Sequence, residues 1–144
     1  MDGFQLHPRL AADCHVLGHK DGGWLLLQRN ALLPWYILVP ETGHGQLHEL
    51  PPDQRARVRA QLDALAAFVQ THHGCRRVNL AAIGNLVPQL HIHVVGRRED
   101  DPCWPGVVWG RLPAGPDWGP AALEGIRQAL RAAGLLSAEP ESRP

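Results

Sequence analysis

Residues 89–95, Gln89-Leu90-His91-Ile92-His93-Val94-Val95, alternate polar and apolar positions. That period of two belongs to a strand with one face in a core and one face open. Such a strand cannot bury Leu90, Ile92 and Val94 alone, so it demands partner strands and a covering layer. Gln89, His91 and His93 then share the open face, successive side chains lying about 6.6 Å apart at roughly 3.3 Å rise per residue.

Partners are readable elsewhere in the chain. Segments 14–17, 24–28 and 35–39 are short and rich in apolar and aromatic residues, separated by His19-Lys20-Asp21-Gly22-Gly23 and by residues 30–34. They predict a meander of three strands. Residues 77–83 predict a further strand, joined to 89–95 through a turn at 84–88 and pairing with it antiparallel. Between these groups, Pro52 and Asp53 open a helix carrying Val58, Leu62, Leu65 and Val69 at spacings of four, three and four, with Arg55, Arg57, Arg59 and Gln61 off the stripe. It ends near Gly74. Pro120 opens a second helix with Leu123, Ile126 and Leu130, closed by Gly134.

Three stretches carry no such signal. Residues before 14 are polar and contain Pro8, which predicts a lead-in without an assigned element. Residues 99–119 are rich in Asp, Pro, Gly and Trp, too broken by proline for a helix or central strand. Beyond Ser137 the composition of Glu, Pro, Ser and Arg predicts a disordered tail. The 144 residues suit one domain, with a core over about 14–134.

Charge and composition exclude several classes of function. Fourteen Lys and Arg balance fourteen Asp and Glu, so the broad positive field on which nucleic-acid and polybasic membrane binders rely is missing. No apolar run approaches the roughly 20 residues that span a bilayer, and MDGFQLHPRL lacks the basic start and apolar run of a secretory signal. The expectation is a cytoplasmic protein. Cys14, Cys75 and Cys103 are odd in number and widely spaced, which predicts free thiols. Of the nine histidines, His72 and His73 fall at a helix C-terminus where positive charge suits the dipole, His7, His19, His44 and His48 fall in polar loops, and His15 sits in a strand without a clear role.

His91 and His93 carry the chemistry. Two imidazoles in a row can grip one phosphate group, one attacking phosphorus while its neighbour or an amide hydrogen-bonds the non-bridging oxygens. A plain polar sheet face is the alternative. Zinc is another, but the cysteines offer no third ligand and Gln is a poor one, so no metal or other cofactor is expected.

PQLHIHVVGR resembles the histidine triad (HIT) signature, His-φ-His-φ-His-φ-φ with φ apolar. Asn79 in Arg77-Val78-Asn79-Leu80 and Gly84-Asn85 resemble the family's preceding strand and loop. Trp35-Tyr36-Ile37-Leu38-Val39-Pro40, followed by Leu47-His48-Glu49-Leu50 and a helix, resembles its upstream run. The resemblance covers about residues 14–98 and implies an α+β fold: a five-stranded, mainly antiparallel sheet with two helices, assembled as a homodimer. It implies a nucleotide hydrolase or nucleotidyl transferase that acts on the α-phosphate of purine phosphoramidates or dinucleoside polyphosphates.

In that reading His91 is the nucleophile that forms a nucleotidyl-histidine, with its other ring nitrogen donating to a backbone carbonyl. His93 would hydrogen-bond the phosphate or the triad backbone, and Asn79 and Asn85 would supply neutral donors. Asn30 would sit near the ribose. Trp104 or Trp109 would stack on the base or, alternatively, fill the core beneath the 99–119 segment. The chain departs from the signature at Gln89, where the family has His. An amide can donate to a phosphate oxygen but cannot exchange a proton near neutral pH, so slower or narrower chemistry is expected, or a non-catalytic nucleotide-binding module.

Overall fold

The computed structural model describes residues 3–138, and the tail at 139–144 lies outside the described residues. Five strands form one antiparallel sheet in the order β1-β2-β3-β5-β4: β1 Cys14–Lys20, β2 Gly23–Gln28, β3 Trp35–Pro40, β4 Arg77–Ala81 and β5 Ile92–Arg97. The first three form the expected meander. After it the chain crosses by α2, Pro52–His73, and returns as the β4–β5 pair, with β5 slotted between β3 and β4. The fold is α+β.

Local chemistry explains the boundaries of α2. Pro52 occupies the first turn, where its missing N–H costs nothing, and Gly74 ends the helix at φ 66°, a left-handed conformation that L side chains rarely adopt. Val58, Leu62, Leu65, Phe68 and Val69 are its buried residues. They pack on the face of the sheet bearing Tyr36, Leu38, Ile92 and Val94, and α3, Pro120–Ala132, adds Leu123, Ile126 and Leu130 to the same core. Gly96 allows the close approach at the end of β5: a Cβ there would stand 2.7 Å from Val69 Cγ1 and 2.8 Å from both Cys75 Sγ and Pro34 Cγ. All three distances are shorter than packed atoms tolerate.

Three expectations need correction. The lead-in is not featureless: it contains a third helix, α1 (Pro8–Asp13), capped by His7 Nδ1, which accepts from Arg9 N. Leu6, just before the helix, and Leu10 within it are buried, and this apolar pair anchors the lead-in despite the polar composition around it. Secondly, the sheet has no open face over β5. Leu6, Leu10, Trp24, Leu26, Trp35, Ile37, Val95 and Val108 form a second core opposite α2, so every residue of β5 is buried. Thirdly, β4 stops at Ala81 rather than at 83, and β5 begins at Ile92 rather than Gln89. Gln89 and His91 therefore stand in the loop that leads into the strand.

The 99–119 segment is irregular, as its prolines require, and is pinned at its start. Arg97, 3% exposed, donates through Nε and Nη2 to the Asp101 carboxylate at 2.8 and 3.1 Å, and Asp101 also accepts from the backbone N–H groups of Arg98 and Cys103. Burial pushes the Asp101 carboxyl up, but the Arg97 guanidinium and these amides outweigh it and hold the group below its ordinary value. All three cysteines are free, Cys14 and Cys75 buried. Among the described residues no helix is long and apolar enough to cross a membrane.

Candidate active site

His93 lies in β5 opposite Ile37 of β3. Trp35, two residues before Ile37, projects from the same face of β3 and donates its indole Nε1–H to His93 Nδ1 at 2.9 Å. An indole N–H can only donate, so Nδ1 must carry the lone pair and the neutral ring holds its proton on Nε2. Burial, followed by the neighbouring His91, pushes the His93 pKa from 6.5 down to about 4. The ring is uncharged at neutral pH and offers a single donor.

His91 has the opposite tautomer. Its Nδ1 lies 2.7 Å from the backbone carbonyl oxygen of Gln89, an atom that only accepts. Nδ1 therefore carries the hydrogen, and the neutral ring keeps its lone pair on Nε2. A carbonyl partner for this ring is what the sequence suggests, and it is found at Gln89. The two rings meet edge to face with centroids 5.0 Å apart, and both residues are buried, at 6% and 7% exposure. A ring with its lone pair on Nε2 thus stands beside a neutral ring with its proton on Nε2, an arrangement chemically able to support attack on a phosphate.

The other site candidates are placed differently. Gln89 directs its side chain into the N-terminal segment: Oε1 accepts from His7 N and Nε2 donates to Gln5 O, both at 2.8 Å. Asn79 lies on the β4 partner of β5, where its Oδ1 accepts from Arg97 Nη1 at 2.9 Å. Asn85 is exposed in the loop after β4. Asn30 donates to Pro113 O at 2.8 Å and accepts from Leu32 N at 3.0 Å, tying the β2–β3 turn to the 113–117 stretch; its amide is occupied structurally.

The two tryptophans of the 99–119 segment separate in role. Trp109 packs edge to face against both Trp35 and His93, each at 5.6 Å, within the second core. Trp104 is 37% exposed, and the Arg97 guanidinium lies over its ring at 5.6 Å. It borders a 480 Å³ cleft at the Arg97 end of β5 that Arg76, Arg77 and Arg98 also line.

Trp35 and the segment around residues 5–7 hydrogen-bond to His93 and Gln89 and were not among the expected site residues. A signal for Trp35 existed: once β3 pairs with β5, alternation puts its donor-only indole on the face that carries His93. For residues 5–7 the only hint was the apolar pair Leu6 and Leu10.

An α+β fold with one antiparallel sheet thus holds together a buried neutral imidazole and a second one with the complementary tautomer. The HIT domain matches residues 9–100, and the chain belongs to that family, whose members generally act on nucleotides. Among solved structures, it is similar to a histidine triad protein from Marinobacter aquaeolei VT8, with 40% identity, a TM-score of 0.83, and coverage of 90% of this chain and 95% of that one. It is also similar to a histidine triad protein from Sinorhizobium meliloti 1021 (34% identity, TM-score 0.85, 92% and 98% covered) and to one from Bradyrhizobium japonicum (31%, 0.83, 90% and 96%). No curated protein matches the chain.

Proposed function

We propose that this HIT protein is a nucleotide hydrolase or nucleotidyl transferase of the phosphoramidase or dinucleoside polyphosphate hydrolase type, working through a covalent nucleotidyl-histidine on His91. The observation that carries this reading is the pair of opposed tautomers: a carbonyl-fixed His91 with its lone pair on Nε2 beside an indole-fixed His93 with its proton on Nε2. His91 Nε2 forms a bond to the α-phosphorus, and the bond from phosphorus to the leaving oxygen or nitrogen breaks. His93 Nε2–H donates to the non-bridging oxygens, where charge grows. Water then attacks phosphorus, the N–P bond breaks, and the nucleoside monophosphate departs with His91 restored. No titratable group stands at position 89, so that side chain supplies no proton and the leaving oxygen or nitrogen takes one from water.

A homodimer fits the same surface. β4 is an edge of the sheet, and Leu80, Ile83 and Leu86 on it and just beyond it are 46%, 40% and 77% exposed. An unpaired strand edge flanked by apolar side chains is an association surface. The free thiols suit a reducing compartment and support the cytoplasm.

Rapid-quench intact mass spectrometry tests the reaction, with an adenosine phosphoramidate and, separately, diadenosine tetraphosphate as substrates. The expected result is an adenylyl adduct that rises and decays in the wild type and never forms in His91→Ala. Nucleotide binding without adduct or product would instead make this a binding module in which Gln89 marks lost catalysis.

A further inference from the structure

Both ends of the Gln89 carboxamide are spent on the backbone of the N-terminal segment. Oε1 takes the His7 N–H and Nε2 gives to the Gln5 carbonyl, each at 2.8 Å and across more than eighty residues of sequence. The N–H of residue 7 and the carbonyl of residue 5 flank Leu6, so the carboxamide pairs with them as a neighbouring strand's peptide group would. An imidazole has no such side-by-side donor and acceptor, and a carboxylate lacks the donor. Only an amide of this length makes both bonds.

The strapped segment is also packed. Leu6 and Leu10 are buried and Phe4 packs beside them, in the core that includes Trp35 and that Trp109 borders, the two rings in contact with His93. The main chain of the same Gln89 holds the His91 Nδ1–H. One residue therefore connects the nucleophile's tautomer, through its backbone, with the position of residues 5–7, through its side chain.

We propose that Gln89 is a positioning residue that straps residues 5–7 against the His91–His93 site as a wall for the nucleotide substrate, and thereby sets substrate affinity rather than the chemical step. The substrate class rests on the proposed nucleotide reading; the strap itself does not. Because the His91 bond uses the Gln89 main chain, loss of the side chain frees the strap and leaves the nucleophile's tautomer intact.

Hydrogen exchange and steady-state kinetics on the full chain separate the possibilities, comparing wild type with Gln89→Leu and Gln89→Glu. In Gln89→Leu the His7 amide is expected to exchange at least tenfold faster while β3 and β5 keep their protection, which also shows that the variant is folded. Gln89→Glu keeps an acceptor for His7 but sets a carboxylate oxygen against the Gln5 carbonyl, and falls between the two. With a substrate that turns over, KM is expected to rise fivefold or more in Gln89→Leu with kcat within twofold. Affinity for AMP should weaken to match.

Unchanged exchange at His7 would overturn the strap. A drop in kcat at constant KM would overturn the positioning role and make Gln89 a group that acts in the transition state. A wild type that binds AMP but never turns over would sink the hydrolase reading alone, because the exchange and AMP measurements still decide the strap.

Discussion

Two histidines packed on opposite faces of the same sheet, one buried and one half-buried, have pKa values pushed from 6.5 to about 4, each mainly by desolvation and further by a histidine neighbour. His93 is one and His73, the last residue of α2, is the other. A low pKa therefore does not distinguish a site from a core. Their partners do. His93 receives a hydrogen bond from an indole that can only donate, which sends its own proton to the far nitrogen, in a ring that meets His91 edge to face. His73 Nε2 meets the Tyr36 hydroxyl at 2.7 Å, a group able to donate or accept, and its ring sits among Phe68, His72 and Trp118. Burial also pushes the Tyr36 hydroxyl well above its ordinary pKa. That pair closes an aromatic cluster and directs no donor toward a second reactive ring.

The expectation that His73 serves the helix dipole as a cation is accordingly wrong, since burial removes the charge that the dipole would favour. His91 against His73 is the sharpest way to break the comparison. His91→Ala should lower turnover by about a thousandfold or more while nucleotide affinity stays within about tenfold, because the nucleophile acts in the transition state. His73→Phe should leave turnover within about twofold of wild type at pH 7. Equal losses of turnover in the two variants would show that burial and packing, rather than the arrangement of partners, support activity.

A smaller effect probes the partner itself. Trp35→Phe keeps an aromatic ring against His93 but removes the donor to Nδ1, so the His93 proton is no longer confined to Nε2. Loss of one such hydrogen bond is worth about 1 to 1.5 kcal/mol, and kcat should fall by about tenfold. Nitrogen chemical shifts of His93 should report mixed tautomers in the variant and a single one in the wild type. A single tautomer in both would remove Trp35 from the account.

Much of the fold was legible because its signals are local. The limits of α2 follow from Pro52 and Gly74, and the meander from short apolar runs divided by turns. The candidate pair was legible through its spacing together with the resemblance that PQLHIHVVGR carries, and the carbonyl partner of His91 through the chemistry of a nucleophilic imidazole. The boundary of β5 was not, because hydrogen bonds at Gln89 and His91 take the chain out of the strand just where the alternating pattern begins. Those bonds join residues 5 and 7 to 89, and no periodicity in residues 89–95 encodes them. The same holds for the lead-in, where Leu6 and, in α1, Leu10 gain their meaning only from the second core they fill. Asn30 shows the reverse failure, since a polar side chain beside a strand proved to be a loop tie between Pro113 and Leu32.

The subtlest test asks both histidines for their protons. Each has a folded-state pKa below the unfolded value, so as pH falls from 6.5 the unfolded chain takes up protons that the folded chain refuses. The stability they contribute is fully present above about pH 6.5 and is lost as pH drops toward about 4. Denaturation by urea at steps between pH 6.5 and 4.5 should therefore show stability falling with acid. His73→Phe should flatten that slope by about one proton's worth near pH 5, with no change in adduct formation at pH 7. Trp35→Phe should flatten it less, because it leaves His93 buried but without the donor that only the neutral ring accepts. A slope untouched by His73→Phe would mean that this ring is charged in the folded protein, and the likeness between the two histidines would be lost along with the contrast drawn from it.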